Sequence, residues 1–152
     1  MITILNNTTN LFNTDTEAIV NTVNCVGVMG AGIALQFKNK YMDNFIAYKN
    51  ACDKHLVVPG KMFIYETNYI TNPKYIINFP TKRHWQCDSQ IDDIEEGLYS
   101  LIKDIKHLDI KSITIPPLGC GLGGLNWDIV KPLIISILNP ISNNVNVLII
   151  DK

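Results

Sequence analysis

The sequence predicts an α/β fold, a three-layer sandwich around a largely parallel sheet. Short β-branched runs alternate with amphipathic stretches along the whole chain, which is the pattern of strands connected through helices. Two glycine-rich segments each follow such a run, as expected where strands of an open sheet end in ligand-binding loops. No linker or internal repeat divides the 152 residues, so one domain spans 1–152.

Met1 to Leu5 and Glu17 to Asn24 are apolar, β-branched runs between Asn/Thr/Asp clusters and read as strands, the second buried on both faces. Gly27-Val28-Met29-Gly30-Ala31-Gly32 then leads into a helix carrying Ile33, Ala34 and Phe37. A second helix starts near Asp43, turns Phe45, Tyr48, Ala51 and Cys52 inward, and ends before Pro59-Gly60. Lys61 to Glu66 and Tyr75 to Phe79 form two further strands, with Pro80 stopping the second. From Ser89 to Leu108, Ile91, Ile94, Leu98, Leu101, Ile102, Ile105 and Leu108 make one apolar stripe at helical spacing, with Ser89 and Asp92 resembling a capping box. Ser112 to Ile115 is a strand running into Pro116-Pro117 and the second glycine segment, Gly119 to Gly124. A short turn at Trp127 to Val130 precedes a last helix with Pro132 as its first residue, because an interior proline costs ~3 kcal/mol. Val145 to Ile150 is the final strand.

Composition narrows the function classes. A hydrophobic fraction of 47% with 18% charged residues is that of a folded domain, and a net charge of −1 excludes a basic footprint over the whole surface. Cys25, Cys52, Cys87 and Cys120 show neither a CxxC pair nor zinc-ligand spacing, so no metal is expected. No apolar run approaches the ~18 residues that cross a bilayer, which predicts no membrane association, and the reducing cytoplasm is the expected compartment.

Each glycine segment has two readings. Tight turns that pack helices on strands need glycine, and so do loops whose N–H groups approach phosphate oxygens at a helix N-terminus. Two of them at one sheet edge suggest a diphosphate clamp. Gly27, Gly30 and Gly32 spell GxxGxG, the reverse of the dinucleotide fingerprint, and no acidic residue ends a strand ~20 residues later, which argues against a nicotinamide enzyme. Neither segment is followed by Lys-Ser or Lys-Thr, so a Walker loop is excluded.

Val20-Asn21-Thr22-Val23-Asn24 before the first loop, with Pro116-Pro117-Leu118-Gly119-Cys120-Gly121-Leu122-Gly123-Gly124-Leu125-Asn126-Trp127 at the second, resembles the macrodomain family. The runs Asn21 to Phe37 and Asn78-Phe79-Pro80-Thr81-Lys82-Arg83-His84-Trp85 resemble its lysine-dependent branch, which includes antitoxins of DNA ADP-ribosylating systems. The resemblance implies an α/β/α sandwich with a mixed, largely parallel sheet of about six strands. It also implies ADP-ribose as ligand or product, with no further cofactor. Adenine would lie near Asn10 and Leu11, where many family members have Gly-Asp-Leu in place of Thr9-Asn10-Leu11. The diphosphate and distal ribose would lie among Val28, Met29, Gly30, Ala31, Gly32, Ile33 and Thr81, closed over by Pro117, Leu118, Gly119, Cys120, Gly121, Leu122 and Gly123.

The same resemblance makes Lys82 the catalytic group, with Asn24 orienting the distal ribose and His84 the nearest candidate for a general acid. A neutral Lys82 amine could attack ribose C1″ through a Schiff-base-type intermediate, its pKa lowered by partial burial beside Arg83 and His84. A charged Lys82 could instead stabilise a departing thymine ring or carboxylate. Protein-directed relatives carry an Asp where this chain has Gly123, which favours the DNA-directed branch. Trp85 reads either as a stacking surface for an extruded base or as a lid, and the three cysteines near the loops as small packing residues. The expected activity is release of ADP-ribose from thymidine in single-stranded DNA. The alternatives are release from acidic protein side chains and a reader that only binds ADP-ribose. A cognate ADP-ribosyltransferase toxin is the implied partner, the chain is expected to be monomeric, and the resemblance implies a separate toxin-binding part outside it.

Overall fold

The computed structural model describes residues 1–152. Five strands run parallel: β1 (Ile2–Leu5), β2 (Ala18–Val23), β4 (Tyr75–Pro80), β5 (Ser112–Ile115) and β6 (Asn146–Ile150). Only β3 (Phe63–Glu66) is antiparallel, pairing with β4 at one edge. The order across the sheet is β1-β6-β5-β2-β4-β3, so the carboxyl ends of all five parallel strands share one edge.

Alternation along the strands divides their side chains between two helical layers. Ala18 and Val20, Ile77 and Phe79, Ile113 and Ile115, and Val147 and Ile149 join α3 (Ile91–Leu108) and α4 (Trp127–Leu138) in one continuous cluster of 22 buried residues. The other face receives α1 (Gly32–Lys40) and α2 (Met42–Asp53) through two smaller clusters, one around Phe37 and Ile76 and one around Tyr48 and Val23. Three fully buried amides also lie in this layer. The Asn78 Oδ1 accepts from Asn21 Nδ2 at 3.2 Å and Asn44 Nδ2 at 3.3 Å, and Asn78 Nδ2 donates to Asn44 Oδ1 at 2.9 Å. Breaking such a buried pair costs about 1–3 kcal/mol, so the amides fix β2, β4 and α2 in one register.

Three local expectations are corrected. The long helix starts at Ile91 after Gln90, with no side-chain cap, and Ser89 serves the second glycine loop instead: its N–H donates to the Gly123 carbonyl at 2.9 Å. The last helix is continuous from Trp127, capped by Asn126 Oδ1 accepting from the Asp128 N–H at 2.9 Å, and holds Pro132 in its interior. Asn126 supplies a start signal that outweighs the proline's preference for the first turn. Finally β4 continues through Pro80, paired with Val23. No helix is long and apolar enough to cross a membrane.

Candidate active site

A cleft of about 1060 Å³ opens at the carboxyl edge of the sheet. Its first wall begins where β2 ends. Asn24 organises the loop from within: Oδ1 accepts from the Val26 N–H at 3.0 Å and the Tyr48 hydroxyl at 2.9 Å, while Nδ2 donates to the Val28 carbonyl at 2.9 Å. Tyr48 is fully buried, and burial pushes its hydroxyl far above the ordinary tyrosine range, so it remains a donor. Its bond fixes which way the Asn24 amide faces and leaves one Nδ2 hydrogen without a protein acceptor. The loop ends at the N-terminus of α1, whose N-cap residue Ala31 provides no side-chain oxygen. The N–H groups of Gly30 and Ala31 bond to nothing in the protein.

Across the cleft, the loop after β5 is braced by hydrogen bonds from the Cys120 N–H to the Pro117 carbonyl and from the Leu125 N–H to the Gly119 carbonyl. The N–H groups of Gly121, Leu122 and Gly123 have no acceptor in the protein. Two sets of unpaired donors therefore face one cavity. The only charged side chains lining it are Lys82 and Lys152, although the protein as a whole is slightly acidic. Backbone donors at a helix N-terminus, two lysines and no acidic side chain make a site for an anionic, phosphate-containing ligand.

Lys82 follows β4 on a turn fastened at several points. The N–H groups of Thr81 and Lys82 donate to the Val23 carbonyl at 2.9 and 3.3 Å, and the Cys25 N–H donates to the Arg83 carbonyl at 3.3 Å. Arg83 is drawn to α3 by a two-pronged pair with Asp93, Nε to Oδ2 at 3.0 Å and Nη2 to Oδ1 at 3.1 Å. Asp93 is almost fully buried and offsets the Arg83 charge, so Arg83 anchors the turn and is not a free cation beside Lys82. The Lys82 amine donates to the Trp85 carbonyl at 3.3 Å. Cys25 lies against this turn, and burial, aided by Cys52 and Asp93, pushes its thiol up to about 11. Burial also raises Cys120. Neither is a thiolate at neutral pH, and neither has the setting of a nucleophile.

Of the residues singled out from sequence, Asn10 and Leu11, then Asn24, Val28 and Gly30 to Ile33, then Thr81 and Lys82, then Pro117, Gly119 and Gly121 to Gly123 line the cleft. Met29, Leu118 and Cys120 do not; they are buried behind the loops and support them. His84 also lies off the cleft wall, stacked on Trp85. Asn10 caps a short 3₁₀ turn, its Oδ1 accepting from the Phe12 N–H at 3.0 Å. Sequence reasoning did not assign Thr9, Thr22, Val23, Ala34, Gln36, Pro116, Ile150 or Lys152 to the site, and these also line the cleft. The signal for Ile150 and Lys152 was available, since they end a parallel strand and such ends converge on one edge. Gly123 has no space for a larger side chain, because a Cβ there would fall 2.2 Å from Ser89 Oγ and 2.5 Å from the Gly119 carbonyl.

Comparison with known proteins agrees with this architecture. A DNA ADP-ribosyl glycohydrolase of Mycobacterium tuberculosis is 53% identical over 126 residues, covering 83% of this chain and 36% of that protein. The solved macrodomain of Mycobacterium tuberculosis DarG superposes with a TM-score of 0.96 at 47% identity, over 100% of this chain and 98% of the other. Thermosipho africanus DarTG, solved in complex with ADP-ribose, gives a TM-score of 0.87 at 35% identity, over 93% of this chain and 39% of that one. The chain thus spans about a third of the length of the curated relatives it matches. The sequence pattern of the Macro domain matches residues 20–134, a stretch that contains the carboxyl end of β2, both glycine loops and the lysine turn, and the chain belongs to that family.

Proposed function

We propose that this protein is an ADP-ribosyl hydrolase that removes ADP-ribose from thymidine in single-stranded DNA, and that it acts as an antitoxin. The observation that carries the reading is the pairing of two sets of unsatisfied loop N–H groups with the Lys82 amine in a cleft lined by no acidic side chain. The loops would hold the diphosphate, Asn24 would offer its free amide hydrogen to the distal ribose, and Lys82 would act at C1″. The names and solved structures of the similar proteins support the same reading. The crowding at Gly123 favours a DNA acceptor over an acidic protein side chain, because the carboxylate used by protein-directed enzymes has no room there. His84 is not on the cleft wall, so it is not the proposed general acid. The enzyme that installs the modification, an ADP-ribosyltransferase, is the proposed functional counterpart.

The test is incubation of wild type and Lys82→Ala with an oligonucleotide ADP-ribosylated on thymidine. Lys82→Ala is expected to bind free ADP-ribose and to lose at least ~10²-fold in turnover, in line with removal of a positioned catalytic group. Borohydride added during wild-type turnover separates the two lysine roles: a covalent adduct on Lys82 marks an imine, and its absence marks charge stabilisation. Full activity of Lys82→Ala would overturn the proposal.

A further inference from the structure

We propose that Trp85, backed by His84, is a nucleobase-stacking subsite that holds the modified base itself, next to the ADP-ribose cleft. This inference rests on the function proposed above and specifies how its acceptor is recognised.

Trp85 lines the cleft with its side chain 52% exposed, in contrast to Met29 and Leu118, which support the loops and are buried. A residue serving as packing or as a closed lid would bury its indole, because exposing so much apolar surface is unfavourable. The rings of His84 and Trp85 lie 5.4 Å apart at an interplanar angle of 30°, a stacked arrangement. The imidazole thus lies against an indole that remains half exposed. The imidazole ring is itself held: His84 Nδ1 accepts the Gln86 N–H at 3.1 Å, and the His84 carbonyl accepts the Cys87 N–H at 3.0 Å. The turn beneath is anchored by Arg83 and Asp93. A flat ring docking here meets a surface already ordered, so little conformational entropy is lost.

Geometry relates this surface to the reacting bond. The Lys82 amine donates to the carbonyl of Trp85, so amine and indole belong to one four-residue turn. In thymidine the one N–H of the base is at ring N3, so in the ADP-ribosylated nucleotide C1″ is attached to a ring atom. If Lys82 acts at C1″, the plane of the base falls within reach of the same turn. A base presents a π-face that stacks on indole; a carboxylate ester on a protein side chain has none. The surface therefore favours a nucleobase acceptor and reads it by its flatness, not by its hydrogen-bonding edge.

The experiment compares wild type, Trp85→Ala and Trp85→Phe in calorimetric binding of free ADP-ribose and in release of ADP-ribose from a modified oligonucleotide and a modified glutamate peptide. Both substitutions keep the backbone carbonyl that holds Lys82. Trp85→Ala is expected to raise KM for the oligonucleotide about tenfold while the Kd for free ADP-ribose changes less than about threefold, and Trp85→Phe to recover most of the loss. An unchanged KM in Trp85→Ala, or an equal loss of free ADP-ribose affinity, overturns the subsite alone. So does equal slowing of the peptide reaction. Wild type that fails to release ADP-ribose from the oligonucleotide overturns the function proposed above, and the subsite with it.

Discussion

In the loop after β2, a methyl group placed on Gly30 would meet only a Val28 methyl at 3.5 Å; in the loop after β5, one placed on Gly123 would overlap the Ser89 hydroxyl and the Gly119 carbonyl. Gly121, in that same second loop, has nothing within 4 Å of the added carbon. Similar glycine-rich sequences thus answer different demands. Gly30 and Gly121 keep space open toward the cleft, whereas Gly123 lets the second loop close on the start of α3. Glycine spacing alone does not distinguish a position that serves a ligand from one that serves the protein's own packing.

Substitutions can break that comparison, and the largest effect belongs to Gly123. Gly123→Ala is expected to lower stability by about 2–3 kcal/mol in urea unfolding, as overpacking does. Adding Ser89→Ala should restore only part of this, because the Gly119 carbonyl remains in the way. Unchanged stability in the single variant would refute the packing role. A middle effect is expected at Gly32, which has φ of +57° with open space around it. Gly32→Ala should cost about 1 kcal/mol through backbone strain alone, measured the same way. The smallest stability change is expected for Gly121→Ala, within ~0.5 kcal/mol, as for an uncrowded surface position. Its affinity for ADP-ribose should nevertheless fall roughly tenfold, about 1.4 kcal/mol by calorimetry. If Gly121→Ala destabilised the fold and spared binding, the division between these glycine positions would be reversed.

Much of the fold was legible because each strand is a short β-branched run and α3 carries an unbroken apolar stripe. Local signals misled where two competed. Ser89 looked like a helix cap, but its N–H is used by Gly123, 34 residues away in sequence. Pro132 looked like a helix start, but Asn126 caps the helix earlier. The glycine loops and Lys82 were legible from motif. The Tyr48–Asn24 bond, the Asn21–Asn44–Asn78 amides and the Arg83–Asp93 anchor were not, since each joins segments whose proximity exists only after folding. Tyr48 in particular read as one more inward-facing apolar residue, while its hydroxyl sets the orientation of Asn24.

The position of β6 has a consequence for how the protein comes to life on the ribosome. It is the last of the sheet's six strands in chain order, yet it lies between β1 and β5 and pairs with both through Val147. Until it emerges, β1 has no neighbour to pair with, and Thr9 and Leu11 are not brought to the same cavity as Ile150 and Lys152. Synthesis of β6 thus completes the sheet and the binding cavity in a single event, and a nascent domain that lacks this strand has no complete cleft with which to capture nucleotide.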